Sequence, residues 1–215
     1  MNLDQARFFM VEQQIRPWDV LDSQILDLLM ETPRHNFVEE SQIPLAYSDI
    51  ELPIGHGEVM MSPKVEGKLL QALAIQADEK ALEVGTGSGF VTAILAQLAK
   101  EVTTVEIIPA LQKTAMERLK DFANINFQTG DASSDWNDNQ YYDAILFTGS
   151  LPEVPEAYKE KLSIGGRMAV ITGNSPAMTA TLITRTNQDE WQEEFLFETV
   201  LPALKNAKVT PTFSL

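Results

Sequence analysis

The sequence predicts an α/β fold with a doubly wound, mostly parallel sheet. From residue 81 onward, short apolar runs alternate with segments of helical periodicity, which is the pattern of strand–helix crossover units. Most of these runs are uniformly apolar, as strands covered on both faces are. The first run ends at Glu83 and is followed by Gly85, Gly87 and Gly89, which predicts a tight turn between a strand and a helix.

The other elements of the sheet follow the same alternation. Strands are predicted over residues 81–84, 102–107, 125–128, 144–147 and 167–171, and helices over 90–100, 109–123 and 153–163. Near the C-terminus, segments 179–185 and 191–200 are rich in β-branched or aromatic residues and flank Asn187-Gln188-Asp189. These two segments predict an antiparallel hairpin added to the edge of the sheet.

The first part of the chain has a different pattern and predicts a cap laid against the sheet. Helices are predicted over 3–15 and 19–30 and from Ser62-Pro63 onward. Residues 36–62 are interrupted by prolines and glycines and are too long to be a simple connector. We therefore expect an N-terminal cap with a substrate loop over 1–76, and a domain that contains the sheet and the nucleotide site over 77–215.

The spacing of the glycines indicates which nucleotide is bound. A dinucleotide fingerprint, G-x-G-x-x-G, would need glycine at position 90, where Phe90 stands, and the chain has no GK[ST] sequence for a phosphate-binding loop. The observed G-x-G-x-G, preceded by Glu83-Val84, is the form found in S-adenosylmethionine-dependent methyltransferases. The expected fold is therefore the Rossmann-like sheet of that class, and the expected cofactor is S-adenosylmethionine.

Three acidic residues are predicted at the ends of successive strands. Glu83 ends the first strand, Glu106 ends the second, and Asp131 follows the third. Ligands of open α/β sheets bind beyond the carboxyl ends of the strands, where an acid can accept hydrogen bonds from ribose hydroxyls or from an amine. Each acid alone could be a solvated loop residue, but three of them beside the glycine turn favour a site for a nucleoside that carries an amino-acid tail.

Composition excludes several classes of partner. The chain has 16 basic and 31 acidic residues, and its formal net charge of −15 disfavours nucleic acids and anionic membranes as partners. It has no cysteine and two histidines, so we expect no disulfide and no metal site. We expect a cytoplasmic protein, since no basic-then-apolar leader and no long apolar run are present.

Several segments away from the glycine turn share the pattern of one family. They are Pro33-Arg34-His35-Asn36-Phe37-Val38, Ala46-Tyr47-Ser48-Asp49, Leu52-Pro53-Ile54-Gly55-His56-Gly57, Val105-Glu106-Ile107, Gly130-Asp131, Tyr142-Asp143-Ala144-Ile145 and Gly165-Gly166-Arg167. Over nearly its full length, the chain resembles the protein-L-isoaspartate O-methyltransferase family. The glycine motif alone indicates a methyltransferase, whereas the cap segments are specific to this family.

The resemblance implies an enzyme that methylates the free α-carboxylate of isoaspartyl residues in damaged peptides or proteins. The ester then cyclises to a succinimide, and reopening restores some normal Asp. The implied cofactor-binding residues are Glu83, Gly85, Thr86, Gly87, Gly89, Glu106, Ile107, Asp131 and Ala132. The implied substrate-binding residues are Arg34, His56, Met61 and Thr148. For Arg34, two roles are equally compatible with the sequence: holding the substrate carboxylate, or tying the cap to the sheet.

The chain departs from the family on the methyl-accepting side. Where the family usually reads Gln-Thr-Ile-Ser-Gln-Pro, this sequence has Glu58-Val59-Met60-Met61-Ser62-Pro63. Val59 and Met61 thus replace the two hydroxyl residues that line the family's active site. Ser62 is the candidate catalytic hydroxyl, although a serine directly before a proline and an apolar helix is favoured as a helix N-cap.

These departures leave two alternatives to isoaspartyl methylation. The same fold could methylate a different acceptor, such as a small carboxylic acid, or the chain could be a non-catalytic module that binds S-adenosylmethionine. The sequence does not determine the oligomeric state, and a monomer is the expected form.

Overall fold

The N-terminal cap consists of three α-helices, a short β-hairpin and 3-10 helices over Arg16–Trp18, Arg34–Phe37 and Glu40–Leu45, in a computed structural model that describes residues 2–207. The helices are α1 (Leu3–Phe9), α2 (Ser23–Glu31) and α3 (Pro63–Leu73), and the strands are β1 (Leu52–Gly55) and β2 (Glu58–Met60). Helix α1 continues into a π-helical turn over Met10–Ile15. The predicted helix over 19–30 begins later than expected, because Asp22 accepts a hydrogen bond from Ile25 N–H and caps α2.

The hairpin of β1 and β2, here called the cap hairpin, lies in the segment that was expected to be irregular. His56 and Gly57 form its turn, and both have positive φ, 55° and 81°. Two consecutive residues with positive φ match the right-handed twist of the two strands that they join. The expectation of a wholly irregular segment was therefore wrong at residues 52–60.

A seven-stranded sheet follows the cap. Its strands are β3 (Lys80–Val84), β4 (Glu101–Glu106), β5 (Ile125–Thr129), β6 (Tyr142–Phe147), β7 (Leu162–Asn174), β8 (Ala177–Asn187) and β9 (Glu190–Thr199). Their order is β5-β4-β3-β6-β7-β8-β9. The first five strands are parallel, and β8 and β9 are antiparallel, which confirms the predicted fold class and the C-terminal hairpin.

Three helices connect the parallel strands and are shorter than predicted. They are α4 (Phe90–Leu98), α5 (Pro109–Arg118) and α6 (Glu156–Glu160). The helix predicted over 153–163 is cut short because Leu162 already pairs with Tyr142 of β6. Pairing on both sides thus extends β7 well beyond the predicted 167–171.

Apolar clusters cover both faces of the sheet. Successive residues of β6 belong to different clusters: Leu146 packs in the cluster that includes the cap, and Ile145 packs in the other. Leu29 and Leu69 of the cap share the first cluster with Ile94 of α4. The predicted boundary at residue 76 falls in the loop between α3 and β3, and the two predicted regions share one core.

The structure describes all but the last part of the predicted second region. Residues 208–215 of the predicted second region lie outside the described residues. Within the described range 2–207, no helix is both long enough and apolar enough to cross a bilayer.

Candidate functional site

The glycine turn between β3 and α4 brings bare backbone to the carboxyl edge of the sheet. Gly85 has φ +98°, and a Cβ atom there would collide with Thr148 Oγ1. Thr148 follows β6 and donates from that hydroxyl to the carbonyls of Val84 and Gly85, at 3.0 and 2.6 Å. The turn is therefore closed against the neighbouring strand in a conformation that requires glycine.

Glu106 is joined to the same turn from the end of β4. Its Oε2 accepts a hydrogen bond from Gly87 N–H at 2.8 Å, and its Oε1 accepts one from Ile108 N–H at 2.9 Å. The residue is buried, and its carboxylate is held in one orientation by two backbone donors. Each carboxylate oxygen can accept a second hydrogen bond, so Glu106 retains capacity for ribose hydroxyls.

An open cleft of about 690 Å³ lies over this edge of the sheet. The predicted cofactor-binding and substrate-binding residues that line it are Gly85, Gly87, Glu106, Ile107, Asp131, Ala132 and Thr148. The cleft is also lined by the cap hairpin, through Ile54, Glu58 and Val59, and by residues 201–205, here called the C-terminal strap.

Asp131 adds a second carboxylate to the wall of the cleft. Its Oδ1 accepts a hydrogen bond from Ser133 N–H, and its Oδ2 accepts one from the side-chain amide of Asn206, both at 2.9 Å. The Ser133 N–H is the main cause that lowers the pKa of the Asp131 carboxyl below its ordinary value. Asp131 is therefore an ionised acceptor at neutral pH.

Glu83 and Thr86 lie beneath the glycine turn and do not line the cleft. Glu83 is fully buried and accepts hydrogen bonds from Thr92 and Thr104, at 2.5 and 2.6 Å. Thr86 shares a hydrogen bond with Thr104. Burial raises the pKa of the Glu83 carboxyl to about 8. Both residues line a smaller inner pocket, which the cleft joins at Val59 and Gly85.

The inner pocket is lined by five apolar side chains, two buried acids, two glycines and the hydroxyl residues Thr86, Ser88 and Thr148. Met61 and Val59 contribute to it from the cap hairpin and the residues that follow it, and Glu66 contributes from α3. Glu66 Oε1 and Glu83 Oε1 are buried and have no hydrogen-bond partner among the described residues. The positions where the family carries hydroxyls therefore present methyl and thioether groups.

Arg34 does not face the cleft. Its side chain is 0% exposed, is paired with Glu66 of α3, and donates to the carbonyl of Met61. The guanidinium also lies over the ring of Phe90, 4.8 Å from its centroid. Of the two roles that the sequence permits, this geometry corresponds to the tie between the cap and α4.

The other predicted residues lie at the margins of the site. Ser62 is at the N-cap position of α3, and its carbonyl accepts hydrogen bonds from Val65 and Glu66 N–H. Its side chain makes no capping hydrogen bond within residues 2–207, and it is not among the residues that line the cleft or the inner pocket. His56 is exposed at the turn of the cap hairpin. Gly89 caps α4 with φ +87° and packs on α5.

The comparisons with known proteins decide the family. A family model described as Protein-L-isoaspartate(D-aspartate) O-methyltransferase (PCMT) matches residues 7–206. The chain belongs to this family. It is 36% identical over 200 residues to the protein-L-isoaspartate O-methyltransferase of Syntrophotalea carbinolica, with 92% of each chain covered. It is 34% identical over 213 residues to that of Brucella anthropi, with 98% of each covered.

A solved structure shows that the PCMT fold is shared. A candidate protein-L-isoaspartate O-methyltransferase from Plasmodium falciparum, crystallised with S-adenosyl-L-homocysteine, has a TM-score of 0.78 to this chain at 18% identity. The match covers 95% of this chain and 99% of that one. The seven-stranded sheet and its cap are thus common to both proteins.

The residues of this PCMT chain fit the family's cofactor, S-adenosylmethionine. The glycine turn offers backbone without a side chain, and Glu106 and Asp131 offer acceptors for hydroxyl and amino groups. We expect the backbone around Gly85 and Gly87 to approach the amino-acid tail, and Glu106 to hold the ribose.

The C-terminal strap was not predicted from the sequence. Ser150 Oγ donates to the carbonyl of Leu201 at 2.7 Å, and Leu204 N–H donates to the carbonyl of Ser150 at 2.9 Å. These bonds place Lys205 at the mouth of the cleft, where its Nζ lies 2.7 Å from Glu58 Oε1 of the cap hairpin. The strap has neither helical nor strand periodicity, and long-range contacts position it: the pairing with Ser150 and the burial of Leu201 in the core.

Proposed function

We propose that this chain methylates the α-carboxylate of L-isoaspartyl residues in peptides and proteins, with S-adenosylmethionine as the methyl donor. The observation that carries the proposal is a cleft built from the glycine turn and Glu106, in a chain that matches the PCMT family over residues 7–206. When bound, S-adenosylmethionine supplies a methyl group on a sulfonium, which is already activated for transfer.

The acceptor needs little chemical help from the protein. A carboxylic acid with an ordinary pKa of about 4 is ionised at neutral pH, so no general base is required. The protein's task is to align the acceptor oxygen with the methyl group and to keep water away. The cap hairpin and the C-terminal strap support this role, since both line the cleft beside the glycine turn.

Labelled S-adenosylmethionine and a pair of peptides test this function. One peptide contains a single isoaspartyl linkage, and the other has normal Asp at the same position. We expect base-labile methyl ester to form on the isoaspartyl peptide only. Equal labelling of both peptides, or labelling of neither, would reject the proposal. Calorimetric binding of S-adenosylmethionine without turnover would instead identify a non-catalytic module.

The apolar inner pocket favours a second candidate, a methyltransferase with a different acceptor. Val59 and Met61 line this pocket where the family carries hydroxyls, so the wild-type chain would accept a less polar carboxylic acid. The double variant Val59→Thr/Met61→Ser separates the candidates. A gain of isoaspartyl methylation in the double variant, from a wild type without it, supports the second candidate. Isoaspartyl methylation by the wild type itself would reject the second candidate.

A further inference from the structure

Acidic side chains outnumber basic ones among the described residues that line the cleft. Three carboxylates line it, those of Glu58, Glu106 and Asp131. Among its lining residues within the described part of the chain, the one basic side chain is Lys205, on the C-terminal strap. An isoaspartyl substrate brings a fourth carboxylate into this acidic cleft. Binding that carboxylate requires a nearby cation or several hydrogen-bond donors.

Two donor groups expected from the family pattern, the hydroxyls at positions 59 and 61 and the guanidinium of Arg34, are missing or occupied. Val59 and Met61 carry no hydroxyl, and the guanidinium of Arg34 is buried against Glu66 and the Met61 carbonyl. Lys205, in contrast, is at the mouth of the cleft with its side chain 42% exposed. A flexible four-carbon stem lets its ammonium move over several ångströms.

The present partner of Lys205 is easily exchanged. Its Nζ lies 2.7 Å from Glu58 Oε1 and 3.4 Å from the carbonyl of His56, and the Glu58 side chain is 30% exposed. Ion pairs with this exposure contribute little to stability, because solvent screens both charges. Replacing the Glu58 carboxylate by a substrate carboxylate therefore costs little.

We propose that Lys205 recognises the α-carboxylate of the isoaspartyl substrate, taking the role of the hydroxyls that this chain lacks. The inference rests on the proposed function. One carboxylate oxygen accepts a hydrogen bond from the ammonium, and the other attacks the methyl group. The new O–C bond forms as the S–C bond breaks, and the electron pair of that bond stays on sulfur.

Esterification also favours release of the product. The ester has no negative charge, so its attraction to Lys205 is lost, and Glu58 again becomes the better partner. Glu58 and the substrate thus compete for one ammonium. This competition makes opposite predictions for the two residues: loss of Lys205 weakens substrate binding, whereas loss of the Glu58 charge strengthens it.

Equilibrium binding tests the contact without turnover. A fluorescent peptide with one isoaspartyl residue, and the same peptide with that α-carboxyl converted to an amide, are titrated by anisotropy in the presence of S-adenosylhomocysteine. We expect Lys205→Met to weaken binding of the carboxylate peptide by about tenfold, the usual scale of a charge-assisted hydrogen bond, and to leave the amide peptide unchanged. Lys205→Arg should retain most of the preference for the carboxylate.

Two variants serve as controls. Lys80→Met removes a similarly exposed lysine at the start of β3, where it pairs with Glu101, and should leave both peptides unaffected. Glu58→Gln frees Lys205 and should tighten binding of the carboxylate peptide. If Lys205 only clasped the strap to the cap hairpin, Glu58→Gln would weaken binding as Lys205→Met does, and the inference would be wrong.

Kinetics separate this inference from the proposed function. With a wild type that is active on the isoaspartyl peptide, Lys205→Met should raise KM by about tenfold with kcat within about twofold. An unchanged KM in an otherwise active system overturns the role of Lys205 alone. A wild type that fails to methylate the isoaspartyl peptide overturns the proposed function and this inference together.

Discussion

The carboxylate of Glu106 accepts a hydrogen bond from the backbone N–H of Gly87 at 2.8 Å. This bond joins the end of β4 to the glycine turn that follows β3, so the acid and the bare backbone are fixed relative to each other before a ligand arrives. A second backbone donor, Ile108 N–H, holds the other oxygen. Preorganisation of this kind reduces the ordering cost of binding.

Removing this carboxylate should weaken binding of the cofactor. We expect Glu106→Ala to lower the affinity for S-adenosylhomocysteine by about 1–3 kcal/mol, because the bonds to the ribose and to the glycine turn are lost together. Isothermal titration calorimetry measures the change. Glu101→Ala, at the exposed opposite end of the same strand, is the matched control. Equal affinity in wild type and Glu106→Ala would show that the ribose acid is another residue.

The glycine turn should not tolerate a side chain. In Gly85→Ala, the methyl group collides with Thr148 Oγ1, and alanine must also adopt the φ of +98° that residue 85 has. The steric clash and the backbone strain both lower the unfolding free energy. Gly165→Ala tests strain alone, since φ there is +84° and a Cβ would have no described atom within 4 Å. We expect Gly165→Ala to cost about 1–2 kcal/mol of unfolding free energy, and Gly85→Ala to cost at least about 1 kcal/mol more. Urea denaturation of both variants checks the difference, and equal costs would refute the clash.

Much of the sheet could be predicted because its strands carry a local signal. Strands β3 and β6 are compact apolar runs, and the glycine turn marks the first crossover. The cap hairpin was missed because β2 has only three residues, too few for alternation to be visible. A strand was predicted over 167–171, but the full length of β7 was not, because Leu162 joins it through pairing with Tyr142, a contact that local periodicity does not encode.

The candidate site was likewise predictable only in part. Glu106 and Asp131 could be placed at the cleft because the carboxyl ends of parallel strands meet at one edge. Lys205 could not, since its position depends on hydrogen bonds between the strap and Ser150. Arg34 was ambiguous because a sequence does not show which arginine is buried.

Arg34 is expected to stabilise the fold. Its removal leaves the buried Glu66 without its counter-charge and the Met61 carbonyl without its donor, so Arg34→Leu should lower the unfolding free energy by about 3–5 kcal/mol. The double variant Arg34→Leu/Glu66→Leu should regain much of this loss, because no unpaired charge is then buried. Urea denaturation of wild type, Arg34→Leu, Glu66→Leu and the double variant completes the double-mutant cycle. If Arg34→Leu were as stable as wild type but had a raised KM for the peptide, Arg34 would instead bind the substrate.

Glu83 should make stability fall as pH rises. Burial raises its pKa to about 8 from an ordinary value of 4.5, so the folded protein retains a proton that the unfolded chain releases between these values. Folding then binds protons, and the stabilisation present below the unfolded pKa is lost as pH approaches the folded one. Glu66, with a pKa raised to about 7 by burial, contributes in the same direction.

The variant Glu83→Gln should therefore reduce, but not abolish, the fall of the unfolding free energy with rising pH, because Glu66 still titrates. Between about pH 5 and about pH 8, the stability of the variant relative to wild type should improve by roughly 2 kcal/mol or more, since one pKa unit corresponds to about 1.4 kcal/mol. Urea denaturation of the ligand-free protein across this range measures the slope. Glu117→Gln, exposed on α5, should reproduce the wild-type slope. Parallel curves for Glu83→Gln and wild type would mean that Glu83 is ionised in the folded protein, stabilised in that form by the hydroxyls of Thr92 and Thr104.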